Sequence, residues 1–110
     1  MITWYDRLLV HNTIDDIEDI KNKISNKEYP FGIYCIIDSL NENNLFEIVS
    51  LNELSNVFYK EKNIIVFGIA KGRKHIREVL LNIVESIINR DGMIDKSLLY
   101  MQGSDGMVGY

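Results

Sequence analysis

The sequence predicts a single small α/β (or α+β) domain, in which three helices pack on a three- to four-stranded mixed or parallel sheet. Residues 32–37 and 64–70 are almost continuously apolar, which is typical of central strands covered on both faces. Segments with helical periodicity alternate with these runs, and this order indicates helices packed on a sheet. The chain has 110 residues, 46% of them hydrophobic and 25% charged, so it is long and apolar enough for one core.

The first third of the chain predicts one strand-like segment and one helix. Residues 2–10 fit either an edge strand or a docked arm. Thr13 is a favourable N-cap for the helix that follows, and Pro30 ends that helix. The apolar stripe of the helix recurs every three or four residues, at Ile14, Ile17, Ile20 and Ile24.

The second helix is predicted by a capping box at residues 50–53, Ser-Leu-Asn-Glu. Its apolar face consists of Leu51, Leu54, Val57 and Phe58. Residues 45–49, which precede it, are compatible with either a strand or a turn.

A longer helix follows the second buried run, with apolar residues at helical spacing over 76–88 and Gly92 as its stop. Residues 97–101 have the composition of a last strand, so the predicted order is (β)αβαβαβ. The Gly-rich residues 103–110 are predicted to be a flexible tail, which leaves 1–102 as the domain.

Charge and cysteine usage exclude several classes of protein. The net charge of −4 and the pI of about 5.1 argue against a globally basic nucleic-acid-binding protein. The single cysteine, Cys35, lies in an apolar run, so we expect a buried hydrophobic residue rather than a reactive thiol. No apolar run is long enough to span a membrane and the first residues lack a signal-peptide pattern, so we expect a cytoplasmic protein.

One local charge anomaly lies where the second buried run meets the long helix. Four cations and a histidine crowd this junction, although helix N-termini favour anions because their backbone N–H groups point outward. The junction therefore predicts an anion site, formed by Lys71, Gly72, Arg73, Lys74 and Arg77. The alternative is a solvated basic corner, because neither a Walker A loop nor a Gly-x-Gly-x-x-Gly fingerprint is present.

An acid–base pair is the only catalytic arrangement that the sequence offers. Asp38 ends the first buried run, and Arg73 and His75 follow the second. If the two strands are parallel neighbours, these residues share one edge of the sheet, and Asp38 and His75 can act as acid and base. The alternative is that Asp38 caps a turn and His75 is exposed.

No cofactor and no metal site are predicted. His11 is expected at the surface, and no second His or Cys stands at the short spacing that is typical of metal ligands.

Four aromatic residues flank the first helix and are candidates for a protein interface, because Tyr and Trp are enriched in interfaces. They are Trp4, Tyr5, Tyr29 and Phe31. A sheet edge left open by the N- or C-terminal strand would also invite homodimerisation. The alternative is that these rings pack in the core or at its rim.

Six short segments spread over residues 3–72 form one set. They are Thr-Trp-Tyr-Asp at 3–6, Phe-Gly-Ile-Tyr-Cys-Ile at 31–36, Asn-Leu-Phe-Glu-Ile at 44–48, Asn-Glu-Leu at 52–54, Phe-Tyr at 58–59 and Val-Phe-Gly-Ile-Ala-Lys-Gly at 66–72. Together they resemble a family of small, functionally uncharacterised Firmicutes (clostridial) proteins associated with conjugative mobile elements. The resemblance implies an accessory protein of a mobile element and implies no activity. Residues 73–77 are more basic here than the helix start in that family.

Three hypotheses follow. The first is a non-enzymatic interaction module of a mobile element, acting with a protein partner or as a homo-oligomer. The second is recognition of a nucleotide or nucleic-acid phosphate by residues 71–77, although the negative net charge disfavours nucleic acid. The third is an enzyme that uses Asp38 and His75. No membrane partner is expected.

Overall fold

A four-stranded mixed sheet organises the chain, of which the computed structural model describes residues 1–41 and 43–100. These residues form a single domain with helices on both faces of the sheet, so the predicted fold class is confirmed. The tail predicted at 103–110 lies outside the described residues.

The central strand of the sheet is β4 (Ile64–Lys71), which lies between β1 (Ile2–Val10) and β2 (Ile33–Asp38). The strand β3 (Phe46–Ser50) pairs with the outer side of β2, giving the order β1-β4-β2-β3. β1 runs parallel to β4, whereas β2 is antiparallel to both β3 and β4. The apolar runs predicted as central strands are β2 and β4, and both are central.

Helices cover the two faces of the sheet. On one face lie α1 (Ile17–Ser25) and a 3-10 helix (Leu51–Ser55), and on the other lies α3 (Arg73–Ser86). A single-turn helix, α2 (Val57–Lys60), follows the 3-10 helix. Because both faces are covered, β4 contributes to two separate cores, with Val66 in one and Phe67 in the other.

The first helix begins at Ile17, later than the predicted N-cap Thr13 requires. The N-cap is Asp16, whose side chain accepts a hydrogen bond from the Asp19 N–H at 3.1 Å. The Thr13 hydroxyl accepts the Lys71 backbone N–H at 3.0 Å instead. Thr13 therefore connects the end of β1 to the end of β4.

The second helix is interrupted, contrary to the single continuous helix that the pattern predicts. Ser50 caps it as predicted, accepting the Glu53 N–H at 3.3 Å, and Leu51 is fully buried. However, Asn56 is extended, with ψ at 144°, and this breaks the apolar face. As a result, Val57 is 78% exposed and Phe58 is 57% exposed.

The last strand predicted at 97–101 does not form within the described residues, because residues 98–100 are helical. Asp95 explains the difference: its carboxylate accepts both the backbone N–H and the hydroxyl of Ser97, which caps a helical turn. The sheet still has four strands, because β3 forms in the segment that was compatible with either a strand or a turn. The helix α3 ends at Ser86, before the predicted stop at Gly92.

Close packing between β4 and α3 depends on Gly68. A Cβ atom added at Gly68 would lie 2.5 Å from Cγ1 of Val79, which is closer than two non-bonded carbon atoms can approach. The glycine therefore sets how near α3 lies to the sheet.

We predict that Gly68→Ala lowers the free energy of unfolding by about 1–3 kcal/mol, because it overpacks this contact. Urea denaturation measures the loss. In a Val79→Ala background, which removes the clashing methyl groups, the same change at Gly68 costs less. Equal costs in the two backgrounds would contradict the proposed contact.

Candidate functional site

The chain passes from β4 into α3 through Gly72, whose φ of 80° lies in the left-handed region that favours glycine. The residues that the sequence predicts as an anion site surround this junction. These residues do not converge on one site. Arg73 and Arg77 line one shallow cleft, of about 260 Å³, whereas Lys71 lines a different one beside the acidic start of α1. Lys74 is exposed.

Tyr34 holds Arg73 against the sheet. The Arg73 Nε donates a hydrogen bond to the Tyr34 hydroxyl at 3.2 Å, and the guanidinium carbon lies 5.7 Å from the ring centroid. Hydrogen bonding to Tyr34 raises the pKa of Arg73. We call the space lined by Tyr34, Ser50, Glu53, Arg73 and Arg77 the arginine cleft. Its two cations face one carboxylate, that of Glu53.

The predicted acid–base pair is wrong. Because β2 runs antiparallel to β4, Ile33 pairs with Lys71, and Asp38 lies at the opposite end of the sheet from His75. Asp38 instead forms an ion pair with Lys96.

His75 belongs to a different cluster, with His11 and Glu78. One carboxylate oxygen of Glu78, Oε1, lies 3.0 Å from Nε2 of His11 and 3.3 Å from Nδ1 of His75. The two imidazole rings are 4.6 Å apart between centroids. The His11 side chain is 15% exposed, so it lies only partly at the surface.

Backbone pairing places this cluster. The His11 N–H donates to the Ile69 carbonyl at 3.0 Å, which continues the pairing of β1 with β4. His75 and Glu78 lie one helical turn apart near the start of α3. Since His11 and Glu78 are 67 positions apart in the chain, a search for short ligand spacings could not find the cluster.

Electrostatics within the cluster favour an ionised carboxylate. Hydrogen bonds from His11 and then from His75 lower the pKa of Glu78. The Nδ1 atom of His11 accepts the Thr13 N–H at 3.1 Å, so in the neutral ring the proton lies on Nε2 and points to Glu78.

The four aromatic interface candidates do not all meet. Trp4 and Tyr5 are consecutive in β1 and face opposite sides of the sheet. Tyr5 packs on Phe67, with 5.1 Å between ring centroids, and Phe31 is 89% exposed. Trp4 and Tyr29 do share a surface.

That surface is a groove of about 820 Å³ between β1, α1 and the 3-10 helix. We call it the Trp4 groove. Its apolar lining includes Ile2, Trp4, Ile24, Tyr29, Leu54 and Tyr59. Its charged residues are three lysines and one glutamate: Lys21, Lys27, Lys60 and Glu61.

In the described part of the chain, no helix is long and apolar enough to cross a membrane. Comparison with known proteins found no match among protein-family models, curated proteins or solved structures.

We predict that Cys35 does not react with a thiol reagent in the folded protein. The side chain is fully buried, and burial raises its pKa to about 12, so the thiolate is scarce at neutral pH. A colorimetric thiol assay at mildly alkaline pH should give no signal until denaturant is added. A rapid reaction of the native protein would contradict this burial.

Proposed function

We propose that the protein is a non-enzymatic interaction module, and that its Trp4 groove binds an acidic peptide segment with apolar side chains. The observation that carries the proposal is the combination of an aromatic lining with a lysine-rich rim. The partner is a second protein.

The apolar lining gives the groove its capacity to hold a peptide side chain. Trp4, Tyr29 and Tyr59 are each only partly buried, so their rings keep surface that a partner can cover. Phe58 lies against Tyr59, with 5.0 Å between ring centroids, and its own exposed ring extends the apolar area. Clustered aromatic side chains of this kind contribute most of the energy in many protein interfaces.

The charges around the groove select an acidic partner. The chain as a whole carries a net charge of −4, but the groove has three lysines against one glutamate. Lys27 and Lys60 are exposed, and Lys21 lies 5.4 Å above the Trp4 ring. Carboxylates of a bound peptide would therefore meet opposite charge at the rim of an apolar site.

A second copy of this chain is a weaker candidate for the partner. β1 is an edge strand, but full antiparallel overlap of two copies, residues 2–10 against 10–2, centres on Asp6. Two Asp6 carboxylates would then lie directly opposite each other, which destabilises the pair. The edge thus resists this self-association, while the adjacent groove stays accessible.

The resemblance to proteins of conjugative mobile elements supports a partner encoded by such an element. We also propose that the protein is cytoplasmic.

We predict that the protein enriches acidic peptides from a displayed library in which Asp or Glu alternates with Leu, Phe or Trp. A library with Lys at the acidic positions should not be enriched. Binding should shift the fluorescence of Trp4, the only tryptophan in the chain, and should weaken with added salt.

The matched variants are Lys27→Glu with Lys60→Glu, and Lys74→Glu with Arg90→Glu. Both pairs change the net charge equally, but only the first lies in the groove. The first pair should weaken binding of the enriched peptides at least about fivefold, because two attractive contacts become repulsive. Equal loss in both pairs, or enrichment of the Lys library, would sink the proposal. So would a stable dimer that buries Trp4.

Anion binding in the arginine cleft is the second candidate function. The observation that favours it is that Arg73 and Arg77, one helical turn apart, line the same cleft. Arginine suits phosphate because its planar donors match two oxygens at once.

We predict that inorganic phosphate or ATP raises the melting temperature of the protein if this second function holds. A ligand at 100 times its Kd adds about 2.7 kcal/mol to stability. Arg73→Gln with Arg77→Gln should abolish the shift, whereas Lys74→Gln with Arg90→Gln should keep it. A flat response of the unmodified protein would exclude the arginine cleft as a phosphate site.

A further inference from the structure

A cluster of two imidazoles and a carboxylate lies at the shared end of β1 and α3, and neither proposed function uses it. Its members are His11, His75 and Glu78, whose ligand atoms all lie within 4.8 Å of one another. We propose that these three residues bind one divalent transition-metal ion, for which Zn²⁺ is the best match.

The spacing of the ligand atoms is close to that of a metal site. Two ligands about 2.1 Å from a tetrahedral Zn²⁺ ion are about 3.4 Å apart. In the structure, Oε1 of Glu78 lies 3.0 Å from the His11 nitrogen and 3.3 Å from the His75 nitrogen. Small rotations of the two rings and the carboxylate suffice to admit an ion between them.

The ligand types select the class of metal. Two neutral imidazoles with one carboxylate suit Zn²⁺ and its neighbours, whereas Mg²⁺ and Ca²⁺ prefer sites made of oxygen atoms. Glu78 is 48% exposed, so water can occupy the fourth position. The one thiol in the chain, that of Cys35, is fully buried elsewhere.

Thr13 gives the cluster an outer partner. In the metal-free ring, Nδ1 of His11 accepts the Thr13 N–H, and Nε2 carries the proton. When Nε2 binds an ion, the proton must lie on Nδ1, from which it can be donated to the Thr13 hydroxyl at 3.0 Å. A ligating histidine is commonly oriented in this way through its second nitrogen.

The position on α3 limits the affinity. His75 and Glu78 lie near the positive end of the helix, where Arg73 and Lys74 add two further cations. This field opposes a bound cation. We therefore expect micromolar rather than nanomolar binding of Zn²⁺.

The test is a titration of the full chain with ZnCl₂ at neutral pH. Calorimetry measures the heat of binding, and NMR of the imidazole nitrogens reports which rings respond. The chain has only two histidines, so both ring signals can be assigned. We expect one Zn²⁺ per chain and shifts in both rings, with no comparable response to Mg²⁺. Absence of heat and of ring shifts at millimolar Zn²⁺ would show that the cluster is two histidines hydrogen-bonded to Glu78 and nothing more.

Glu78→Gln should weaken Zn²⁺ binding at least about tenfold, because it removes a charged ligand. The matched control is Glu85→Gln, an exposed position of the same helix, which should bind like the parent. Equal affinity of parent and Glu78→Gln would overturn the proposal. If Glu78→Gln does not fold, Co²⁺ absorption of the unmodified protein decides: an intense four- or five-coordinate spectrum supports the site, and the weak spectrum of aqueous Co²⁺ refutes it.

Discussion

The burial of β4 on both faces is the constraint on which the rest of the structure depends. Six of its eight residues are buried, and the side chains among them divide between two cores. Helices must therefore cover both sides of the sheet, and Gly68 allows α3 to approach one of them closely. The histidine cluster is placed by the strand that pairs with β4 and by the helix that follows it.

Strand direction then decides which polar residues meet. Because β1 is parallel to β4, its last residues reach the point where α3 begins, and His11 lies beside His75. Because β2 is antiparallel to β4, Asp38 is carried to the far end of the sheet and pairs with Lys96. The same topology thus creates one cluster and separates the pair that the sequence suggested.

The sequence predicted what depends on local pattern. Continuous apolar runs identified β2 and β4, and helical spacing identified α1 and α3. Strand direction is not encoded in an apolar run, so the partners of Asp38 and His75 could not be derived. The pair Leu98-Leu99 suits a strand or a helix equally, and only the cap that Asp95 provides decides between them. Thr13 has the composition of an N-cap, but its hydroxyl accepts a hydrogen bond from the backbone N–H of Lys71, which is distant in sequence.

Local charge, not net charge, determines which ligands the surface can bind. The acids of the first helix and the lysines of the Trp4 groove lie on the same small domain, yet at 0.1 M salt each acts over only about 10 Å. Trp4 and His11 lie near opposite ends of β1, separated by on the order of 20 Å along the strand. The proposed peptide binding in the groove and the proposed metal binding at the histidines are therefore electrostatically independent, and each proposal can fail without the other.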